Sequence, residues 1–292
     1  MRVRKAVIPA AGLGTRLLPA SKSMPKEMIP LVDRPAIQYV VEECVRAGIR
    51  DILVVTGRGK ATMEDHFDRS LELEERLEKS GKAEELEEVR NVAAMADVHY
   101  VRQKEALGLG HAVGVARAHV GDEPFAVLLP DEIVPAPLGD EPPLLERMAE
   151  VHEHDGVSVV AVRRVPRENV SAYGIVAPVG EIVDDFVKVS DLVEKPTQAE
   201  APSDLGAVGR YILGPEVFDA IEATQPGAGG EIQLTDGIRA LVESPGVYAY
   251  VHRGPIYDVG KRLDYVKGTV QLALRREDLG PQLEAWLREL LA

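Results

Sequence analysis

The sequence predicts an α/β fold: a mixed, mostly parallel central sheet flanked by helices, with small antiparallel additions in its second half. Three observations carry this. First, residues 4–10 and 52–56 are short apolar runs, and residues 35–48 between them place Ile37, Val40, Val41, Cys44 and Val45 at helical spacing. Strand, crossover helix and strand make a βαβ unit, and apolar runs that do not alternate suit parallel strands covered on both faces. Second, residues 125–129 form another such run and stop at Pro130-Asp131-Glu132. Strand–helix alternation up to that point is the pattern of a doubly wound sheet. Third, beyond Gly156 the alternation weakens: residues 157–165, 173–177, 182–193 and 207–213 read as strands with few long helices between them.

The elements follow in order. The first strand, 4–10, breaks at Gly12 and Gly14, and no helix opens directly after the break. In the helix that comes later, Pro35 suits a first turn and Gly48 the cap after the last. Residues 62–90 read as helical and acidic, a solvated face. Residues 98–103 form a strand, and the glycine-rich 108–114 opens a helix that runs to Val120. Residues 215–224 and 231–243 are helical, the second with Leu234, Ile238, Leu241 and Val242 as its apolar face. A late strand at 247–251 precedes Tyr257-Asp-Val-Gly260 and another helix. Finally, residues 279–291 space Leu283, Trp286, Leu287 and Leu290 along one helical side, a stripe that either packs on the body or forms a subunit contact.

Bulk properties narrow the partners. With 292 residues, 45% hydrophobic and 28% charged, the chain is globular and long enough for a large core. A net charge of −14 argues against non-specific nucleic-acid binding. No apolar run approaches the ~18–20 residues that span a bilayer, so no membrane partner is expected. The single cysteine, Cys44, excludes an internal disulfide framework and fits a reducing cytoplasm. The N-terminus enters strand-like sequence without a signal segment.

Chemistry concentrates near the start. A strand feeding Gly12-Leu-Gly14-Thr15-Arg16 lets backbone N–H groups approach a phosphate, because no Cβ stands in the way. The turn lacks the third glycine of the dinucleotide fingerprint and the Gly-Lys-Ser/Thr ending of the P-loop. Two glycines alone make an ordinary tight turn. Arg16, Lys22 and Lys26 beside it in an acidic chain point to phosphate instead. Asp131 follows a buried strand, at the end where open α/β sheets place ligands, and a carboxylate there can hold Mg²⁺. Cys44 lies on an apolar stripe and reads as core, leaving no convincing nucleophile. His111, at a helix opening, contacts phosphate or caps structure.

Ala10-Ala-Gly-Leu-Gly-Thr-Arg-Leu-Leu-Pro19 with Lys22-Ser-Met-Pro-Lys-Glu-Met28 resembles the signature of sugar-phosphate nucleotidyltransferases. Further matches follow in order: Gln103, Gly108-Leu-Gly-His-Ala112, Pro130-Asp131, Tyr173-Gly-Ile-Val176, Val193-Glu-Lys-Pro196, Gly209-Arg-Tyr211, Gly230-Glu-Ile-Gln-Leu-Thr-Asp236 and Tyr257-Asp-Val-Gly-Lys261. The resemblance is strongest to the bacterial branch that joins UTP and glucose 1-phosphate.

That resemblance implies a Rossmann-like, glycosyltransferase-A-like fold forming one domain over 1–292. Its nucleotide part covers about 1–132, its sugar part about 133–262 and a helical C-terminal part about 263–292. It implies uridylyl transfer to glucose 1-phosphate with release of pyrophosphate. The alternatives are a glucose-1-phosphate thymidylyltransferase and a non-catalytic nucleotide-sugar-binding relative. Arg16, Lys26, Asp131 and Lys195 would be catalytic. Ala10, Ala11, Gly12, Gly14, Thr15, Glu27, Gln103 and Gly108 would bind nucleotide, with Gln103 reading the uracil edge. Gly174, Glu194, Lys195 and Gly209 would bind the sugar phosphate. Asp131 and Asp258 would hold Mg²⁺, although spacing alone fits an ion pair of Asp258 with Lys261 or Arg262 equally well. Many relatives carry aspartate where this chain has Glu132. A homodimer or homotetramer is implied as well.

Overall fold

The apolar runs form the centre of one nine-stranded sheet. The computed structural model describes residues 1–137, 139 and 141–292. From one edge to the other the strands are Asp97–Arg102, Asp51–Thr56, Lys5–Ala10, Phe125–Leu128, Leu205–Leu213, Ser158–Arg164, Val247–Val251, Phe186–Glu194 and Gly174–Val183. The first four run parallel. Leu205–Leu213 then enters antiparallel to both its neighbours, and the far edge is an antiparallel hairpin. The expected mixed sheet is what forms, although its neighbouring strands pair four times parallel and four times antiparallel, a larger antiparallel share than expected.

Alternation along each strand assigns its side chains to opposite faces. Ile8, Ile52 and Val54 pack on one side with Ile37, Val40, Val41 and Cys44 of the helix Ala36–Arg46. Val7, Leu53 and Val55 pack on the other with Ala112, Val113, Phe218 and Ile238. Phe125 and Phe218 stack with centroids 5.1 Å apart, which pins the helix Glu216–Ala223 to the sheet. Burial pushes the Cys44 thiol well up, so it is structural as its apolar stripe suggests.

Several boundaries differ from the sequence reading. A helix not among the expected elements, Leu144–Asp155, covers one face with Leu144, Leu145 and Met148. Its signals were present: prolines just before it, and Gly156 at φ 68° after it. The acidic stretch is three helices, Ala61–Phe67, Leu71–Lys79 and Ala83–Ala94. Its face is not uniformly solvated, because Glu74 is buried between Arg69 (2.7 Å) and Arg90 (3.0 Å). The strand expected at 182–193 contains a turn at Asp184 and Asp185, both at positive φ, so Ile182 and Val183 end the preceding strand. Short polar side chains tolerate that backbone region. The helix expected at 231–243 is only Leu234–Arg239, because Ile232 donates its N–H to the Leu107 carbonyl instead. The C-terminal helix Gly280–Leu290 leaves Trp286 54% and Leu290 62% exposed.

One small ladder positions the chemistry. Glu132–Ile133 pairs antiparallel with Tyr257–Asp258, placing Asp258 opposite Glu132, and the Val259 N–H bonds the Asp131 carbonyl at 2.8 Å. Two carboxylates far apart in sequence thus become neighbours.

Candidate active site

The parallel strands end together at Ala10, Thr56, Arg102 and Leu128, and the loops after them build one wall of a cleft. After Ala10 the glycine turn bends back over the sheet. Gly14 sits at φ 67°, and a Cβ there would lie 3.0 Å from Lys26 Cβ, so both conformation and space favour glycine.

The turn is held from beneath by a residue that no motif singled out. Lys60 is 7% exposed, and its Nζ donates to the carbonyls of Ala10 and Gly12, the latter at 2.8 Å. It also meets both carboxylate oxygens of Glu27 at 2.9 Å. In a trans peptide the next N–H points opposite to the carbonyl. Drawing the carbonyls of residues 10 and 12 inward therefore turns the N–H groups of Ala11 and Leu13 outward, away from Lys60. Burial pushes the Glu27 carboxyl up and the Lys60 amine down, and their mutual attraction opposes both shifts.

This arrangement corrects the expectation for Glu27. Its side chain is 0% exposed and closed off by Lys60. The carboxylate has no open face towards a nucleotide and instead supports the turn.

Beside the turn, cations and carboxylates interleave. Lys26 Nζ lies 2.6 Å from Asp131 Oδ2. The Arg16 guanidinium spans two acids, 3.7 Å from Asp131 and 3.6 Å from Asp258. Burial alone would raise the Asp131 carboxyl, but Lys26 and then Arg16 outweigh it and hold the group below its ordinary value. Asp258 also meets Lys261 at 3.1 Å and accepts the Gly260 N–H at 3.0 Å. The ion pair with Lys261 that spacing allowed for Asp258 forms, with Arg16 as a second cation on the same carboxylate.

Glu132 points elsewhere. Its Oε2 accepts the Gly209 N–H at 3.1 Å. Burial raises its carboxyl above the usual range, the nearby Asp131 and Asp258 adding to the effect against that hydrogen bond. Gly209 lines the cleft, yet its N–H goes to Glu132 and its carbonyl to Leu129 N–H at 2.8 Å. Both backbone groups of Gly209 are thus engaged within the protein. Glycine is needed there because a Cβ would stand 2.4 Å from Leu129 Cβ.

Arg210 is the second supporting residue that no motif marks with a role. Fully buried, it meets Glu43 at 2.8 Å and donates to the carbonyls of Leu129 (3.0 Å), Gly209 (3.1 Å) and Glu132 (2.6 Å). The segment bearing Asp131 is thereby fixed on both sides. A glutamate beside Cys44 on a core-facing helix was the available signal, since such a charge requires a partner.

On the opposite wall Glu194 receives the Thr235 hydroxyl at 2.7 Å and lies 3.2 Å from Lys195 Nζ. Lys195 adopts φ 47° and donates its N–H to the Tyr173 carbonyl at 3.0 Å. A Cβ on Gly174 would come within 3.0 Å of the Thr235 hydroxyl and 3.2 Å of Glu194. Gly174 and Glu194 line the same cleft as Arg16, Asp131 and Asp258.

At the sheet edge, the Gln103 amide donates to the Gly108 carbonyl at 3.2 Å and meets His111 Nδ1 at 2.9 Å. His111 therefore orients Gln103, and no side chain caps the helix Leu109–Gly114 that it opens. Gly108 has φ 107° and would bring a Cβ to 2.6 Å from the Ile232 carbonyl, so the 107–110 and 231–233 segments lie against each other.

The model of the nucleotidyl transferase family matches residues 5–274. The chain is 50% identical over 290 residues to the UTP–glucose-1-phosphate uridylyltransferase of Bacillus subtilis, covering 99% of this chain and 98% of that one. A UTP-bound UGPase from Acinetobacter baumannii superposes with a TM-score of 0.91 at 42% identity, covering 99% of each chain. A UDP-glucose pyrophosphorylase complexed with UDP-glucose superposes with a TM-score of 0.85 at 39% identity, covering 94% of this chain and all of that one.

Proposed function

The chain belongs to the nucleotidyl transferase family, and from that premise we propose how its own residues carry its reaction, uridylyl transfer from UTP to glucose 1-phosphate. A phosphate oxygen of the sugar attacks the α-phosphorus of UTP in line. The new P–O bond makes UDP-glucose as the bond to the β-phosphate oxygen breaks and pyrophosphate leaves. Such a transfer needs positioning and charge neutralisation rather than a protein nucleophile. The observation that carries the residue assignment is Arg16, placed between Asp131 and Asp258 beside the glycine turn.

Backbone groups of Ala10, Ala11, Gly12, Gly14 and Thr15 cradle the triphosphate. Arg16 and Lys26 balance its charge and that of the departing pyrophosphate. Gln103 and Gly108 face the uracil: with both Gln103 amide hydrogens held by the Gly108 carbonyl and His111, its Oε1 is the atom left to accept an N–H of the base. Glu194 takes sugar hydroxyls, Lys195 the sugar phosphate, and Gly174 permits close approach. Gly209 contributes the small profile of its backbone rather than a hydrogen bond.

Asp131 and Asp258 present hard oxygen ligands on adjacent chain segments, a donor set suited to Mg²⁺ shared with phosphate oxygens. When bound, the metal supplies charge neutralisation and alignment of the phosphates.

Residues 1–292 are read as one domain, on the support of core clusters that draw residues from both halves of the chain. A homodimer or homotetramer is supported by the exposed Trp286 and Leu290 stripe. No helix among the described residues is long and apolar enough to cross a membrane. The cytoplasmic reading rests on the free, buried Cys44, and the absence of a nucleic-acid partner on the net charge of −14.

Pyrophosphate release, measured with UTP, glucose 1-phosphate and Mg²⁺ and with each omitted in turn, is expected to require all three. Release at an equal rate with dTTP, or UDP-glucose binding without turnover, would replace this reading with one of its alternatives. Gln103→Ala is expected to raise the KM for UTP about tenfold and to narrow the preference for UTP over dTTP. The KM for glucose 1-phosphate should barely move. A parallel rise in both constants would show that Gln103 shapes the cleft generally and does not read the base.

A further inference from the structure

A second group of ligating side chains lies at the end of the sheet away from the cleft. Asp51 opens its strand, whereas the cleft is built on residues following Thr56, where that strand closes. Leu53 pairs with His99 and Asp51 with Asp97, so Asp51 and His99 lie on the same face of two adjacent strands, one step apart along the ladder. Leu53 marks that face as the one covered by Ala116 and Val120. His119, on the short helix Arg117–Val120, comes down onto it. His119 Nε2 lies 2.7 Å from Asp51 Oδ1, and His99 Nε2 lies 3.8 Å from the same oxygen. One ligand atom from each of the three side chains falls within 4.8 Å of the others.

We propose that Asp51, His99 and His119 form a binding site for a borderline divalent cation of the Zn²⁺ class. Imidazole nitrogen suits such ions, whereas Mg²⁺ favours oxygen and gives up its waters reluctantly. One protein thus holds two cation sites sorted by ligand hardness: oxygen-only in the cleft and two imidazoles with a carboxylate here. Zinc–ligand distances of about 2.0–2.2 Å in tetrahedral geometry separate ligand atoms by roughly 3.3 Å. His99 would close on Asp51 by about half an ångström and His119 would open by a similar amount. The side chains have that freedom, being 53%, 36% and 26% exposed for His99, Asp51 and His119.

The backbone beneath them is anchored. Lys5, which pairs in register with Asp51, donates its Nζ to the carbonyls of His119 (3.2 Å) and Val120 (3.0 Å) and meets Glu123 at 2.6 Å. That contact fixes the helix end against the sheet and leaves the Lys5 charge compensated. An ion bound to three segments would tie the helix end, the Asp51 strand and the edge strand together. It would therefore stabilise the edge of the sheet.

The test is a calorimetric Zn²⁺ titration with excess Mg²⁺ present to occupy the carboxylate site, followed by a Co²⁺ titration read by visible absorption. The expected result is one equivalent bound per chain, a Co²⁺ spectrum of nitrogen-ligated character, and a Zn²⁺-dependent rise in the unfolding midpoint. His99→Ala and His119→Ala should each weaken binding roughly tenfold or more and abolish the midpoint shift. Circular dichroism should show both variants folded, and Asp131→Asn should bind Zn²⁺ as the wild type does. Equal affinity in the histidine variants, loss of binding in Asp131→Asn alone, or no binding up to about 1 mM Zn²⁺ would each overturn the proposal.

Discussion

Asp131→Asn is expected to lower kcat for uridylyl transfer by about two to three orders of magnitude, because an amide keeps the shape of the site but removes its charge. The variant should fold. Asp131 is held by its backbone, through the Val259 N–H and the Arg210 clamp on the flanking carbonyls, and not only by its side chain. What changes is the balance around Arg16 and Lys26, which lie 3.7 and 2.6 Å from the carboxylate. Without it Lys26 loses its carboxylate and Arg16 keeps only Asp258, at 3.6 Å, so triphosphate binding is preserved or tightened while turnover collapses. The checking measurement is rate against Mg²⁺ concentration at saturating UTP. A wild-type Mg²⁺ profile in the variant would refute the assignment of Asp131 as a metal ligand.

Lys60→Met is expected to destabilise the protein by about 3–5 kcal/mol, since it leaves the Glu27 carboxylate buried without its partner. Four acceptors depend on this one ammonium: two carbonyls of the glycine turn and both oxygens of Glu27. Glu27 would respond by retaining its proton, as burial already pushes its carboxyl upward. A double variant, Lys60→Met with Glu27→Gln, separates the two roles of Lys60. Removing the stranded charge should recover much of the stability. It should not recover kcat/KM for UTP, because the carbonyls of Ala10 and Gly12 would still lack the donor that orients their peptides. Denaturant unfolding and steady-state rates on the same preparations give the comparison. If the double variant regained full activity together with stability, Lys60 would serve only to neutralise Glu27.

Glu27 and Gly209 show that a motif names residues without fixing which way their polar groups face. Both stand within motifs of the cleft, and both were expected to touch substrate. Glu27 instead faces inward onto Lys60, and Gly209 is required by Leu129 and satisfied by Glu132. Adjacent residues share a segment but not a direction, and direction is set by packing. The missed helix Leu144–Asp155 has a different cause: its apolar face is short and ends in the polar stretch His152-Glu-His-Asp155. Periodicity is weak over so few turns.

Local physics made much of the protein legible in its sequence. Apolar runs without alternation marked the central parallel strands, glycines marked where the backbone must turn or come close, and clustered cations in an acidic chain marked the phosphate side. Such features depend on residues near one another in the chain, so one sequence suffices to read them. Tertiary structure alone decided the pairings over long separations. Lys60 lies 48 residues from Gly12, Arg210 lies 167 from Glu43, and Asp258 pairs with Glu132 across a short ladder. Each depends on strand order: Lys60 reaches Gly12 because Asp51–Thr56 lies beside Lys5–Ala10, and Arg210 reaches Glu43 because Leu205–Leu213 enters beside Phe125–Leu128. That order is the outcome of burying two sheet faces at once, and no single segment encodes it.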